Sequence, residues 1–179
     1  MVLHTMPTLD VLTGFEPVLP ARPKVLVLGS MPGGASLDAQ QYYAHPRNAF
    51  WPVMQALFHI DTQLPYVQRV EQLKQSGIAL WDVVHQCRRR GSLDTAIEPD
   101  SVVVNDIAEL LRRNATIRGV FCNGGGAWQL LHRHFMRPIR ASPINVPVYR
   151  MPSTSPANAR LSLQQKCAEW QLLKQATDS

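Results

Sequence analysis

The sequence predicts an α/β fold, a three-layer α/β/α sandwich around a central, mainly parallel four-stranded sheet. Two observations lead to this class. Four short apolar runs lie along the chain, and stretches with the helical spacing of apolar residues separate them. Strands that alternate with helices pair in parallel, and their helices cover both faces of the sheet. The 179 residues contain no internal repeat and no linker, so we expect one domain over 1–179 with an irregular lead-in over 1–22.

Each predicted strand is a short apolar run of the kind that is buried on both faces of a parallel sheet. The first run ends in Gly-Ser, which is typical of a strand that ends at a loop carrying a site. The predicted strands are residues 24–30 (KVLVLGS), 78–84 (IALWDVV), 117–123 (IRGVFCN) and 145–150 (NVPVYR).

Apolar residues at helical spacing predict the helices between these strands. Pro52 is tolerable near the first turn of its helix, and Gly77 is a typical end for the next one. A Gly-rich loop is predicted over 31–46 and an irregular basic segment over 85–104. The predicted helices are residues 48–59, 65–77, 107–113, 127–135 and 161–176.

The composition excludes several classes of protein. Hydrophobic residues make up 45% of the chain and charged residues 17%, which is typical of a globular protein rather than a disordered or fibrous one. No apolar run approaches the roughly 20 residues that cross a bilayer. The N-terminus has neither the basic start nor the apolar centre of a signal peptide. We therefore expect a cytoplasmic protein with no membrane partner.

The cysteine count limits the metal and disulfide sites that the chain can form, and the net charge bears on its binding partners. Three cysteines without a CxxC pair exclude a disulfide framework and a four-thiolate metal or iron–sulfur site within one chain. The formal net charge is +5, and 14 of the 18 basic residues are arginines. Because arginine binds phosphate and stacks on bases, this balance is compatible with a nucleic-acid partner. An ordinary basic protein has the same balance, so charge alone leaves both interpretations open.

Ligands of parallel sheets bind beyond the carboxyl ends of the strands, so the loops that begin there form the candidate site. Several common chemistries are absent from these loops. GSMPGG at 29–34 has neither the GK[ST] of a phosphate-binding loop nor the GxGxxG of a dinucleotide site. Ser30 lacks the G-x-S-x-G elbow of a serine hydrolase. His132 and His134 would point to different sides of a helix, so no metal site is predicted.

Two polar segments remain as candidates. QQYYAHPRNAFW at 40–51 places tyrosines, a histidine, an arginine and an asparagine before a helix, and MPSTSPAN at 151–158 is a loop stiffened by prolines. Ser153 and Ser155 supply hydroxyl and N–H donors suited to phosphate. Both segments also allow ordinary roles, with Asn48 as a helix N-cap and the tyrosines as packing residues.

Taken together, these segments resemble the uracil-DNA glycosylase superfamily. GSMPG at 29–33, YYAHPRNAFW at 42–51 and MPSTSPAN at 151–158 match its motifs in order and in their position after the first and last strands. The Gly-Ser start, LWDVV at 80–84 and RGSLD at 90–94 are similar to its hypoxanthine (deoxyinosine) DNA glycosylase branch, which is related to the mismatch-specific uracil and thymine-DNA glycosylases. The iron–sulfur members need four cysteine ligands, and this chain has three.

The resemblance implies a catalytic site without a metal or a cofactor. The mismatch-specific relatives carry a catalytic asparagine in the first motif, where this chain has Ser30, and the closer branch moves the catalytic amide to Asn48. Asn48 is expected to orient a water toward C1′, with Ser30 supporting the same site. Backbone N–H groups around Met31 are expected to contact the base, and Tyr43 aligns with the aromatic residue that stacks on it.

Asp82 and Asn123 stand near the ends of predicted strands and are the candidates for reading the base. Hypoxanthine presents an O6 acceptor and an N1–H donor, whereas adenine presents the reverse. A buried donor and acceptor in the right places would discriminate between them, because a mispaired buried group costs about 1–3 kcal/mol. Both residues have ordinary alternatives, Asp82 as a loop-bracing carboxylate and Asn123 as a turn residue.

The last loop and the arginines after the second strand are the expected contacts to DNA. The loop would enter the minor groove and fill the space left by an extruded base, and the arginines would hold phosphates, although such a run is also typical of a solvated surface. The expected contacts are Met151, Pro152, Ser153, Ser155, Pro156, Asn158, Arg160, Arg88 and Arg89.

The resemblance therefore implies a monofunctional DNA glycosylase of base excision repair that hydrolyses the N-glycosidic bond of deoxyinosine and releases hypoxanthine. None of the four lysines lies in the predicted loops, which argues against a Schiff base. The expected partner is double- or single-stranded DNA with a deaminated base, bound by a monomer that associates with the nucleoid. A uracil- or mismatch-specific glycosylase and a catalytically weak DNA-damage-binding module remain alternatives.

Overall fold

The computed structural model of the protein describes residues 8–136 and 142–179. The strands in those ranges are β1 (Val11–Thr13), β2 (Val25–Gly29), β3 (Ile78–Asp82), β4 (Val84–Arg88), β5 (Val103–Val104), β6 (Val120–Asn123) and β7 (Val148–Met151). The α-helices are α1 (Gly34–Ala39), α2 (Phe50–Phe58), α3 (Tyr66–Gln75), α4 (Ile107–Arg113), α5 (Gly125–Leu131) and α6 (Leu163–Asp178).

Four of the strands form one fully parallel sheet in the order β3-β2-β6-β7. These are the four strands that the apolar runs predict, and the α/β class is confirmed. Every residue of the inner strand β2 is buried, as expected for an apolar run that is covered on both faces. Since all four strands run the same way, their carboxyl ends meet at one edge of the sheet.

Alternate side chains of β2 face the two outer layers. Val25 and Val27 face a core that α2, α3 and α6 complete, whereas Leu26 and Leu28 face a core that α4 and α5 complete. Successive side chains of a strand point to opposite faces, so helices cover both sides of the sheet. The three-layer α/β/α sandwich is therefore confirmed.

A second sheet, antiparallel and in the order β1-β4-β5, is absent from the prediction. The predicted irregular segment 85–104 is wrong in part, because it holds most of β4 and all of β5. The lead-in 1–22 is not wholly irregular, because β1 lies in it and pairs with β4. α1 lies within the predicted loop 31–46. β1 and β5 have three and two residues, which is too short for a recognisable apolar pattern, and β4 (VHQCR) and α1 (GASLDA) lack a continuous apolar run.

The predicted helices agree with α2, α3, α4 and α6 to within two residues at each end. The predicted helix 127–135 is α-helical only as α5, and His132–Met136 continue it as a π-helix. Trp170 of α6 donates its indole N–H to the carbonyl of Pro152, which attaches the loop after β7 to this helix. No helix among the described residues is both long and apolar enough to cross a membrane.

Candidate active site

A cavity of about 530 Å³ opens at the carboxyl edge of the parallel sheet. The ends of β2, β3, β6 and β7 or the segments that follow them reach it, as expected for a ligand site of such a sheet. Its volume is in the range of small-molecule sites in proteins. Its polar side chains include those of Ser30, Tyr43, His45, Asn48, Asp82, Asp94, Asn123, Ser153, Ser155 and Asn158.

Two hydrogen bonds join the loop after β2 to the segment after β4. Ser30 Oγ donates to the Asp94 carboxylate at 2.6 Å, and the N–H of Gly34 donates to Ser92 Oγ at 2.9 Å. Solvent reaches Asp94 through the open cavity, but protein atoms surround most of its carboxylate. This partial burial raises the pKa of Asp94, and the Ser30 hydrogen bond and the Arg89 charge oppose the rise. Sequence reasoning missed Asp94 as a site residue, although the RGSLD motif carries it.

Asn48 lies just before α2, and its carboxamide is held in place. Oδ1 of Asn48 accepts the N–H of Phe50 at 2.9 Å, and the Asn48 N–H donates to the His45 carbonyl at 2.9 Å. The N-cap of α2 is Ala49, so the N-cap role predicted as an alternative for Asn48 falls to the next residue, and Asn48 itself lines the cavity. A carboxamide oxygen has two lone pairs, so one remains for a water or a ligand.

Thr154 is 1% exposed and links three segments of the cavity wall. Its N–H donates to Oδ1 of Asn123, and its Oγ1 accepts from Nδ2 of Asn123, both at 2.9 Å. Its carbonyl accepts the N–H of Ala49 at 2.9 Å. Both ends of the Asn123 carboxamide therefore brace the loop after β7, which leaves one amide proton for a ligand. Sequence reasoning missed Thr154 because its partners are distant in the chain.

Asp82, at the end of β3, is 4% exposed. It lies against Gly29, its register partner on β2, where any Cβ would collide with the carboxylate. Oδ2 of Asp82 has no hydrogen-bond partner among the described residues. Burial, helped by the charge of Asp94 and opposed by that of Arg89, raises the pKa of Asp82 to about 7. Near neutral pH this carboxyl group therefore populates both its protonated and its ionised form.

Tyr43 reaches the same region from the segment between α1 and α2. Its φ of 56° lies in the left-handed region, which is uncommon for a tyrosine and is a strain often found at functional sites. Its ring stacks on Phe50 with centroids 4.1 Å apart. Its buried hydroxyl meets no partner at hydrogen-bond geometry within the described part of the chain. Burial raises the pKa of that hydroxyl, and the nearby Asn123 side chain opposes the rise. The stacking of the Tyr43 ring on the base stays a prediction. Tyr42, in contrast, packs in the core and donates to the Glu16 carbonyl.

The arginine run 88–90 is only partly exposed. Arg89 is 4% exposed and donates to the carbonyls of Pro32 and Gly91, so the prediction that Arg89 contacts DNA is wrong. Its guanidinium is buried because it satisfies loop carbonyls that would otherwise lack donors. Arg88 pairs with Glu98 at 2.8 Å, and its contact to DNA stays a prediction.

The loop after β7 presents part of the predicted DNA-contacting set. Met151 is 4% exposed and packs in the core cluster that contains Trp170, so the prediction that Met151 enters the groove is wrong. Met31 also packs its side chain in a core cluster, while the residue lines the cavity, so the role of its backbone stays a prediction. Arg160 is exposed. The loop residues along the cavity include Ser153, Ser155, Pro156 and Asn158.

Other exposed arginines lie on segments that bound the cavity. Arg150 lies over the Trp128 ring at 5.9 Å, beside a polar recess that Ser153 and Asn158 also line. Sequence reasoning could not separate these side chains from buried arginines such as Arg89, because exposure depends on tertiary neighbours. The exposed arginines of these segments are Arg47, Arg90, Arg150 and Arg160.

Comparison with known proteins identifies relatives of the chain. A family model described as the uracil DNA glycosylase superfamily matches residues 16–176. A protein named hypoxanthine DNA glycosylase from Methanosarcina barkeri is 38% identical over 104 residues, which are 55% of this chain and 66% of that protein, just under two thirds of its length. A protein of the same name from Methanosarcina acetivorans is 31% identical over 159 residues, 88% of this chain and 94% of that protein.

A solved structure has the same architecture. The solution NMR structure of a protein from Methanosarcina acetivorans, described as a candidate uracil DNA glycosylase, superposes with a TM-score of 0.77 at 28% sequence identity. The superposition covers 95% of this chain and 100% of that one. The likeness therefore extends over the whole sandwich and includes the strand ends that form the cavity.

Proposed function

The chain belongs to the uracil DNA glycosylase superfamily, and we propose that it is a monofunctional DNA glycosylase that releases hypoxanthine from deoxyinosine in DNA. One observation carries the proposal: the motifs of the first and last strand loops line a single cavity at the carboxyl edge of the sheet. Two sequence relatives named hypoxanthine DNA glycosylase support the choice of base. A volume of about 530 Å³ accommodates an extruded purine.

DNA reaches the cavity as an extruded nucleotide, because the C1′–N9 bond is inaccessible inside a stacked duplex. We propose that the exposed guanidinium groups of Arg47, Arg90, Arg150 and Arg160 bind the phosphates of that DNA. The substrate is DNA with a deaminated base, and we propose a monomeric enzyme that acts in the cytoplasm.

Asn48 orients the water that attacks C1′. Its carboxamide is preorganised by the Phe50 N–H, so its free lone pair needs no reorganisation during the reaction. As the C1′–N9 bond stretches, the sugar gains positive charge and the base gains negative charge. Fixed amide dipoles stabilise such charges without themselves ionising.

Three buried side-chain atoms lack a hydrogen-bond partner in the described structure: Tyr43 Oη, Asp82 Oδ2 and Arg89 Nη1. The first two belong to residues that line the cavity, and these two atoms read the base edge. A buried polar atom without a partner is costly unless a ligand satisfies it. The Tyr43 hydroxyl is a donor suited to O6 of hypoxanthine, and the ionised Asp82 carboxylate is an acceptor suited to N1–H. Asn123 is mostly engaged with Thr154, which favours Asp82 over Asn123 as the reader.

Hydrolysis, rather than Schiff-base chemistry, fits the positions of the lysines. Lys24 donates to the Thr177 carbonyl and Lys166 to the Asn158 carbonyl. No lysine is among the residues that line the cavity in the described part of the chain. A lyase step would need an amine there.

The proposal is tested with oligonucleotides that carry a single deoxyinosine, deoxyuridine or deoxyxanthosine, treated with alkali after incubation. Alkali-dependent cleavage at deoxyinosine is expected. Cleavage only at deoxyuridine would favour the uracil- or mismatch-specific alternative. Binding without cleavage of any substrate would favour a damage-binding module and overturn the enzyme proposal.

Asn48→Ala should lower the single-turnover excision rate by at least about 100-fold, because the water loses its orienting group. DNA affinity should stay near that of the unaltered protein. Asn114→Ala is the matched control, since Asn114 ends α4 and donates to the Leu110 carbonyl away from the cavity. A rate for Asn48→Ala similar to that of Asn114→Ala would reject the role of Asn48.

A further inference from the structure

Asp94 brings a carboxylate into the cavity that the mechanism above does not use. We infer that Asp94 is a catalytic residue: together with Ser30 it binds the attacking water and accepts its proton as the water bonds to C1′. The inference rests on the proposed function, because hydrolysis requires the attacking water to lose a proton. Asn48 can orient that water but is not a base.

The geometry joins Asp94 to the loop that carries the first motif. Ser30 Oγ donates to one carboxylate oxygen of Asp94 at 2.6 Å across 64 positions of the chain. Because the hydroxyl proton of Ser30 is directed at Asp94, the lone pairs of Ser30 Oγ are left to accept from a water. Ser30, Asn48 and Asp94 all line the same cavity, and the inference assigns all three to the water that attacks C1′.

The other carboxylate oxygen of Asp94 lies against Gly126 of α5, where a Cβ would collide with it. No hydrogen bond from a described residue reaches this oxygen. The absence of a side chain at position 126 therefore makes room for the Asp94 carboxylate, whose second oxygen keeps its lone pairs free of hydrogen bonds to the described residues.

The position of Asp94 is fixed by its neighbours in the chain. Ser92 Oγ accepts from Gly34, and the buried Arg89 donates to the carbonyl of Gly91. Leu93 itself is 57% exposed, so packing of the segment into a core does not account for the placement of Asp94. A rigid support beneath a carboxylate that lies at a cavity is the arrangement that a positioned catalytic group requires.

Asp94 and Asp82 differ in access to solvent, and this separates their roles. Asp82 is 4% exposed behind Gly29, at the base-reading part of the site. Asp94 is open to solvent through the cavity, so it can return its proton to bulk water after each turnover. The carboxylate that can exchange its proton is the one suited to act as the base.

The water oxygen forms a bond to C1′ while the C1′–N9 bond breaks, and the bonding pair leaves with the base. One proton of the water passes to the Asp94 carboxylate, either directly or through the Ser30 hydroxyl, which gives its own proton to Asp94. The departing hypoxanthine anion takes a proton from solvent, and Asp94 releases one to solvent.

Asp94→Asn is the principal test, because the amide keeps the acceptor for Ser30 but cannot take a proton. The single-turnover excision rate on a deoxyinosine duplex should fall by about 10²- to 10⁴-fold, while DNA affinity is retained. Asp100→Asn is the matched control for loss of one negative charge, since Asp100 is exposed on the short 3-10 helix Pro99–Ser101. A rate for Asp94→Asn close to that of Asp100→Asn would overturn the inference.

The pH profile is a readout that a purely structural role would not move. Asp94 accepts from the Ser30 hydroxyl, and its charge interacts with those of the Asp82 carboxyl, the Arg89 guanidinium and the Cys87 thiol. The rate of the unaltered enzyme should fall toward acidic pH as both Asp94 and the base-reading Asp82 become protonated. Asp82→Asn, whose amide oxygen still accepts N1–H, should keep the part of this acidic limb that is due to Asp94. Adding Asp94→Asn to that variant should remove the limb, and an acidic limb that is the same in both proteins would contradict the inference.

Chemical rescue separates a base from a structural support. Asp94→Ala should regain excision activity when formate, a small carboxylate, is added, whereas Asn48→Ala should not. Absence of rescue in a folded Asp94→Ala protein would count against Asp94 as the base. If the unaltered enzyme does not excise hypoxanthine at all, the proposed function fails; if it does and the Asp94 variants match it, only this inference fails.

Discussion

Asp82 and Glu109 carry the same functional group in opposite environments. Glu109 is on α4 at the surface, and its two carboxylate oxygens accept from Arg112 and Arg113, which lower its pKa to about 2. Asp82 is buried at the end of β3, keeps one oxygen without a partner among the described residues, and has its pKa raised to about 7. Charge pairs stabilise the ionised form, whereas burial destabilises it.

The arginines of the two regions differ in the same way as their carboxyl groups. Arg112 and Arg113 extend into solvent beside Glu109, so their loss should alter little beyond the helix surface. Arg89 is enclosed with two loop carbonyls and is near the charges of Asp82 and Asp94. The surface cluster satisfies its own charges, whereas the cavity leaves polar groups unsatisfied, which is the arrangement that a ligand can complete.

The largest expected effect on stability is that of replacing the buried arginine, Arg89. Arg89→Ala should destabilise the protein by about 2–4 kcal/mol, because the Pro32 and Gly91 carbonyls lose charged donors. Arg90→Ala, one residue further and exposed, should change stability by no more than about 0.5 kcal/mol. Urea unfolding measures both variants.

The same pair tests which arginine contacts DNA. Arg90→Ala should reduce the slope of log affinity against log salt by about one, whereas folded Arg89→Ala should leave that slope unchanged. A reduced slope for Arg89→Ala with an unchanged slope for Arg90→Ala would reverse the assignment.

The second effect is the pH dependence of stability due to Asp82. Its folded-state pKa, about 7, is above the unfolded value of about 3.9, so the folded state binds more protons between these values. The stabilisation of the folded state by Asp82 is therefore fully present below about pH 4, and it is lost as the pH rises through 7. Between pH 4 and 7.5 the titration of Asp82 should lower the free energy of unfolding by on the order of a few kcal/mol, and Asp82→Asn should abolish this part of the decrease.

The measurement is urea unfolding of both proteins at several pH values. Asp94, whose pKa is also raised, contributes in the same direction, so the Asp82→Asn curve should flatten rather than become level. A curve parallel to that of the unaltered protein would show that Asp82 does not titrate in this window.

The smallest effect belongs to Glu109. Its lowered folded pKa stabilises the protein above the unfolded value of about 4.3, and this contribution is lost as pH falls toward 2, opposite in sign to that of Asp82. Because Arg112 and Arg113 are exposed, Glu109→Gln should lower Tm at pH 7 by no more than about 2 °C. A larger decrease in Tm, or a decrease in Tm that persists at high salt, would show that Glu109 does not behave as an exposed, screened charge.

The elements with a continuous apolar run or an apolar helix face were predictable, and those without one were not. β2 is apolar along its whole length, and α6 carries Trp170 and Leu173 at helical spacing, so their periodicity is visible in the chain. β5 has two residues and β1 three, and their pairing with β4 depends on residues more than 70 positions apart for β1. Local patterns do not encode such pairing.

The site was predictable as a set of motifs but not as an arrangement of side chains. Asn48 and Ser30 were identifiable because the segments around them resemble a known family. Arg89 and Met151 were misassigned, because an arginine that donates to loop carbonyls and a methionine that enters a core look the same in sequence as exposed ones. Asp94 was overlooked because its partner, Ser30, is 64 positions away.

The sequence by itself determined the strand order along the chain, the alternation of strands with helices and the residue types at the carboxyl edge. These follow from apolar periodicity and from motif residues, both of which are local. Only the tertiary structure decided which carboxyl group is buried, which arginine is exposed and which serine bonds to which acid. Burial, desolvation and hydrogen bonding are properties of neighbours in space, and in this protein those neighbours come from different strands and loops of the chain.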